Sequence, residues 1–409
     1  MKQRLLLSLL MLLVSVGLVK AQSPTTQYID LSIPAGTSGK VTITIKNTEA
    51  VLKADKGSPY YPLVYYPAGK SVVPTISTDK KTATYVVSYT AENAGPIQIA
   101  GTIGDMKDID LTIDGKVTGF DCTTSDNLFA AVKSLKFTNN GELASLKFKG
   151  LTNVVSVDAS NNKLKATDIY PQETPMSKLE SFNVSNNPLE SVSEVVINSK
   201  STIKTLNLSK TGLSGAGLNF SDFAALEDLD LSDNALDKLT VNPALKKLDV
   251  SNNKLLRVEG VGKDTKVTMG KQEIISGIEV EASAGLNMAQ TWNMNFGLPT
   301  FDENDWTEVR DIVWEQLGDG STYKKVDHGQ KAYEDANPAT FLFYSPSEKN
   351  IFQSGTYRVT IKYNGAEMVI SNIKVTPAKF GLDIVKDYIK VTKDGNTIAD
   401  GVTCTKAIS

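Results

Sequence analysis

His328, with Asp319, Asp327 and Glu334 close by in sequence, is the one stretch that offers the parts of an acid–base site. It is also the only histidine. A centre built from several imidazoles is therefore excluded, and any histidine-based triad has to use this residue. No nucleophile elbow accompanies it, and DHGQK reads as a polar surface loop. Cys122 and Cys404 are the only cysteines and lie far apart, so neither a disulfide framework nor a cysteine-rich metal site can be built. A second cluster, Glu227, Asp228, Asp230 and Asp233, has the oxygens that a hard cation wants. It lacks a D-x-D-x-D-G loop and a glycine–aspartate nonapeptide array, so calcium is not expected. The triplets NVS, NLS and NFS at Asn183, Asn207 and Asn219 matter only in a eukaryotic secretory route. No catalytic residue, metal or cofactor is expected.

The acidic cluster belongs to a grid. Leu226–Leu236 reads LEDLDLSDNAL, or L-x-x-L-x-L-x-x-N-x-L. Close relatives are VVSVDASNNKL from Val154, LESFNVSNNPL from Leu179, IKTLNLSKTGL from Ile203 and LKKLDVSNNKL from Leu245. VKSLKFTNN from Val132 is a weaker copy, and VTGFDC from Val117 matches the first apolar half. Starts at 132, 154, 179, 203, 226 and 245 are 22, 25, 24, 23 and 19 residues apart, which is the leucine-rich repeat period. A solenoid of short parallel strands over residues 117–272, with six or seven repeats, is expected.

Each place in the grid has a physical task. Places one, four and six point into a core that one repeat cannot close alone, so neighbours must stack. The asparagine at place nine turns inward to satisfy buried backbone groups of the turn. That ladder is Asn140, Asn162, Asn187, Asn234 and Asn253, with Thr211 as a break. Convex segments are read as extended or 3₁₀, with one helical turn in FSDFAALEDLDL capped by Ser221. Information is left to the outward places. Place five carries Asp158, Asn183, Asn207, Asp230 and Asp249, and place seven carries Ser160, Ser185, Ser209, Ser232 and Ser251. The serines are expected to bond their own turns. Glu227, Asp228, Asp230 and Asp233, with Lys204 and Lys210 before them and Lys246 and Lys247 after, form the most charged row. With Asp158, Asn183, Asn207 and Asp249 it makes a candidate partner-binding face.

Flanking segments read differently. Lys2 and Arg4 precede an apolar run, Leu5–Val19, and small residues around Ala21; residues 1–21 are expected to be a secretory signal peptide. The run is short of the ~20 residues of a membrane span, so no membrane insertion of the mature chain is expected. Loss of Lys2, Arg4 and Lys20 from 43 basic against 46 acidic residues leaves a mild negative charge. That argues against a nucleic-acid partner. Residues 22–116 alternate as strands (YIDLSI, KVTITIKN, ATYVVSYT, PIQIAGTI) and should cap the solenoid's first end. The stretch SPYYPLVYYPAG, Ser58–Gly69, reads as edge padding or a partner-binding loop. Residues 273–377 hold Trp292, Trp306 and Trp314 and several strand runs, the size of an Ig-like antiparallel sandwich. Residues 378–409 open a further β module or a truncated tail.

With LTN before the strand and SNN after it, residues 117–260 resemble internalin-type leucine-rich repeats, and the whole chain an internalin J-like protein of Bacteroidota type. WEQLGDGSTYKK from Trp314 resembles the turn of PKD-type Ig-like domains. The resemblance implies a secreted or cell-surface protein, of a Gram-negative bacterium, that binds a protein or glycan on a host or bacterial surface. Adhesion, aggregation and biofilm formation are the roles it implies. Two other readings stay open: a structural stalk, and the non-catalytic part of a longer exported enzyme.

Overall fold

The computed structural model describes residues 28–47, 63–100, 108–122, 129–170, 177–282, 291–295, 309–325, 340–344, 355–377, 380–385, 388–393 and 396–403. Short gaps fall at 68–69, 93–94, 130, 149, 216, 256–257, 278, 319–320 and 364–365. The signal-peptide segment, Tyr60 and Tyr61, Trp306, His328 with Asp319, Asp327 and Glu334, and Cys404 lie outside the described residues.

The first strands alternate buried and exposed side chains, as branched residues at every second position require. They are β1 (Ile29–Ser32), β2 (Gly39–Asn47), β3 (Leu63–Tyr65), β4 (Ser71–Val72), β5 (Thr75–Ile76), β6 (Thr82–Tyr89) and β7 (Ile97–Ala100). From residue 109 the chain winds between two rows. One row is β8 (Ile109–Gly115), β10 (Val132–Thr138), β12 (Ser156–Asp158), β14 (Ser181–Asn183), β15 (Thr205–Asn207), β18 (Asp228–Asp230), β21 (Lys247–Asp249) and β22 (Lys266–Thr268). These eight are parallel and pair one after the next. Opposite them lie β9 (Gly119–Asp121), β11 (Ser145–Lys147) and β13 (Ile169–Tyr170), then a short helix, α1 (Glu194–Asn198). The opposite row resumes with β16 (Ser214–Gly215) and β17 (Leu218–Asn219), which pair in parallel with β19 (Ala235–Leu236) and β20 (Leu239–Thr240).

Both rows run on into the N-terminal strands without a seam. β8 pairs with β2, which pairs with β6, so the first row grows to an eleven-stranded sheet. β9 pairs with β1 and so joins the second row to β7, β3 and β4. The two backbone edges that a first solenoid turn would expose are thereby hydrogen-bonded. One apolar core extends from Ile29 to Leu255.

Three local readings change. Val117–Cys122 contributes β9 to the opposite row, not a first-row strand, and Cys122 is buried there. The first-row strand of that turn is β8, whose IDLTI alternation lies just upstream. FSDFAALEDLDL forms turns with no helix, and Asn219 Oδ1 accepts from the Ser221 amide at 2.8 Å; helix α1 lies one repeat earlier. A short segment takes the local turn its own side chains stabilise, here an Asx turn in place of a helical one.

Beyond the solenoid, β23 (Gly270–Ser276), β24 (Glu279–Ala282), β26 (Val309–Leu317), β27 (Tyr323–Lys325), β29 (Gly355–Tyr363) and β30 (Ala366–Pro377) form a mixed sheet. β25 (Thr291–Asn295) pairs with β28 (Thr340–Tyr344) apart from it. An all-antiparallel arrangement is not what forms, because β23 and β24 both run parallel to β30. Parallel partners need a long crossover, and the intervening strands supply it. Finally β31 (Phe380–Val385), β32 (Tyr388–Lys393) and β33 (Asn396–Thr403) make a three-stranded antiparallel sheet.

Candidate functional site

Strand pairing puts the outward places into straight rows along the first-row sheet. Leu135, Val157, Phe182, Leu206, Leu229, Leu248 and Val267 stand in register at place four. Their neighbours at places three and five therefore align too, strand after strand, about 4.8 Å apart.

The turn after each strand rests on two side chains with different tasks. At place eight the backbone is left-handed: φ is 50° at Asn139, 59° at Asn161, 54° at Asn186, 53° at Lys210, 56° at Asp233 and 55° at Asn252. Asparagine and aspartate tolerate that region because their short polar side chains bond locally. At place nine the amide reaches back into the preceding repeat. Asn187 Nδ2 donates to Ala159 O at 3.0 Å and Val184 O at 2.9 Å, while its Oδ1 accepts from the Leu164 amide at 2.9 Å. Asn234 donates to Leu208 O and Leu231 O and accepts from the Thr211 and Leu213 amides. Asn253 repeats the arrangement with Leu231 O, Val250 O and the Leu236 amide. Asn162 accepts from the Leu143 amide, and Asn140 from the Val117 amide. The ladder continues to a member outside the asparagine pattern. Gln272, fully buried, accepts from the Leu255 amide at 2.8 Å and donates to Val250 O at 2.7 Å. Its repeat, D-x-x-V-x-M-x-x-Q-x-I from Asp264, is legible only once glutamine is admitted at place nine.

Most of the charged candidates are occupied within the chain. Lys246 meets Glu227 at 2.8 Å, Lys247 meets Asp228 at 3.0 Å, Lys204 meets Glu180 at 2.9 Å and Lys210 meets Asp233 at 3.9 Å. Place five is a column of turn caps. Asp158, Asp230 and Asp249 each accept from the amide and hydroxyl of the serine two residues on, as does Asn207. Asn183 accepts from the Ser185 amide. Glu227 is held below the usual carboxylate range, first by its hydrogen bond from Lys246 and then by the charges of Lys246 and Lys204. A depressed carboxyl stabilises the fold above its unfolded pKa, and the contribution fades as pH falls through the folded value. Glu227 is exposed, so salt screens the effect. Glu227→Gln is expected to lower the urea midpoint slightly at neutral pH in low salt. In high salt, or below the carboxylate range, urea titration should show no difference; a loss that persists in either condition would count against the pair.

The open part of the face lies elsewhere. Ser134, Ser156, Ser181 and Thr205 occupy place three of four successive strands, before Asp228, Lys247 and Lys266 take over the row. Small side chains there leave a shallow concavity of about 350 Å³, floored by these residues with Lys136, Asp158, Asn183 and Asn207. The candidates Asp158, Asn183 and Asn207 thus share one hollow; Asp228, Asp230, Asp233, Lys246, Lys247 and Asp249 lie beyond its lining. The place-three serines were outside the sequence-derived candidates, although a run of small residues at one outward place is the signal that marks them. Among the described residues, no group of three or more His, Cys, Asp or Glu is arranged to hold a metal ion.

No protein-family model matches the chain, and no curated protein matches it. Among solved structures, the APL1 leucine-rich repeat domain is similar over 39% of this chain and 51% of that one, with 18% identity and a TM-score of 0.25. The chain thus spans about half of that protein's length. Parallel register, left-handed place eight and an inward amide at place nine recur turn after turn, and on that internal evidence residues 109–272 form a leucine-rich-repeat-type β-solenoid.

Proposed function

We propose that this chain is an exported, non-enzymatic binding protein of internalin type, and that it takes up a partner protein in the hollow of the first-row sheet. Solenoids of this kind are typically interaction scaffolds, and their concave faces are extended binding surfaces. The observation that carries the reading is the 350 Å³ concavity over Ser134, Ser156, Ser181 and Thr205. Hydroxyls and amides line it together with the ion pair of Lys136 and Asp158, a mixed set of donors and acceptors that suits the polar surface of a partner protein. Export rests on the sequence of residues 1–21, and a role in attachment, aggregation or biofilm formation rests on the resemblance. No helix among the described residues is long and apolar enough to cross a membrane. The N-terminal strands act as the solenoid's cap, and the Ig-like region as a spacer.

The test is a double variant, Ser181→Arg with Thr205→Arg, which fills the hollow from one half-buried and one exposed position. Attachment to host cells and to bacterial cells is then measured against the unaltered protein, with far-UV circular dichroism to establish folding. A folded variant is expected to lose at least about tenfold in binding, the scale of a central interface residue. Reversal of Asp228, Asp230 and Lys246 should weaken binding less. Full attachment by the arginine variant would overturn the proposal.

A further inference from the structure

We propose that the solenoid consists of two blocks that unfold in separate steps, and that they meet between the repeats of β14 and β15. Repeat proteins behave as chains of nearest neighbours, so their stability divides wherever one interface is weaker than the rest. Two independent observations fall on this junction. The first is the ladder. Among the described residues, every other place-nine side chain from Asn140 to Gln272 reaches at least one backbone group of the repeat before it. Thr211 does not: its hydroxyl donates to Leu208 O of its own repeat at 2.6 Å. The Leu189 amide, which an asparagine at 211 would receive, turns instead to Asn187 O at 2.8 Å.

The second is the opposite row. It is a paired sheet through β13 and again from β16 onward, but α1 stands between them and takes no part in pairing. The repeat of β12 also meets a partner without an opposite strand, yet there the Asn187 amide still joins the two. Only the β14–β15 junction lacks both. What remains is the first-row pairing, five backbone bonds beside it, the apolar core and two exposed ion pairs, Glu180 with Lys204 and Asp222 with Lys200. The earlier block shares its core and both sheets with β1–β7, so it is the more stable of the two. The hollow straddles the junction, with Ser181 and Asn183 on one side and Thr205 and Asn207 on the other, so an occupant would tie the blocks together. The step in stability exists without one.

Hydrogen exchange of the full chain, followed by mass spectrometry, tests this. Amides of β18 and β21 are expected to exchange at least about tenfold faster than those of β12 and β14, the scale of the missing amide bonds. Thr211→Asn, on a backbone that already has the ladder's left-handed residue at 210, should shrink that gap to within about threefold. Equal protection in the unaltered protein, or an unchanged gap in a folded Thr211→Asn variant, would refute the two-block inference. Asn234→Thr provides an arm that does not depend on that variant. It should open a new step in protection between β15 and β18, and its absence in the folded variant would also refute the inference.

Discussion

Replacing Asn187 by leucine is expected to remove about 3 kcal/mol of unfolding free energy, although the two side chains differ little in volume. Asn187 is 2% exposed and stands between two repeats. Leucine would strand the Leu164 amide and the carbonyls of Ala159 and Val184 inside the stack, where water cannot reach them. Each orphaned buried group costs about 1–3 kcal/mol, and the terms are not additive because the turn relaxes. The neighbouring asparagine is an internal control. Asn186, at φ 54°, keeps a left-handed turn and spends its side chain on an exposed bond to Asn161. Asn186→Ala should therefore cost only about 1 kcal/mol, the price of that backbone region for a residue with no polar side chain. Urea unfolding of both variants decides the matter. If the two losses are equal, the inward amide is not what joins the repeats.

Phe120→Ala is expected to cost about 3–5 kcal/mol, the scale of a buried phenylalanine whose site cannot collapse. Phe120 is fully buried at the middle of β9, where the antiparallel N-terminal strands meet the parallel solenoid. It stands opposite Leu31 of β1 on one side and Leu146 of β11 on the other. Its ring meets Phe137 edge to face, with centroids 5.7 Å apart and planes at 90°. Both neighbouring strands are held by backbone bonds, so they cannot close on the void. Because the core is continuous across this point, the loss should appear in the first-row strands on both sides. Val73→Ser, at a side chain 76% exposed, should stay within about 0.5 kcal/mol. Thermal unfolding compares the two; a loss under about 1 kcal/mol for Phe120→Ala would mean that the N-terminal strands and the solenoid are separate cores.

The repeat was legible because its causes are local. Leu226, Leu229, Leu231 and Leu236 face inward by strand and turn geometry alone, and all four are buried. Asn234, half-buried, faces inward for the same reason, and its bonds reach one repeat back at a distance set by the winding. Gln272 escaped the pattern because a longer amide does the same work on a different letter. β8 escaped because its strand carries no SNN turn; its left edge is completed by β2, far away in sequence.

The candidate face shows the boundary between the two kinds of information. Which residues point outward follows from the alternation of the strand, so Glu227, Asp228, Asp230 and Lys246 could be named from the letters. Whether they are free could not. Glu227 is paired with Lys246 because 19 residues of winding bring place two of one repeat beside place two of the next. Asp230 is engaged by Ser232 because the turn folds back on it. The sequence by itself determined the period, the inward grid and all but one rung of the ladder, since each depends on a residue's own backbone. Only the tertiary structure decided where the face is hollow, which charges are spent and where the stack is weak. Those properties belong to neighbours that stacking alone brings together.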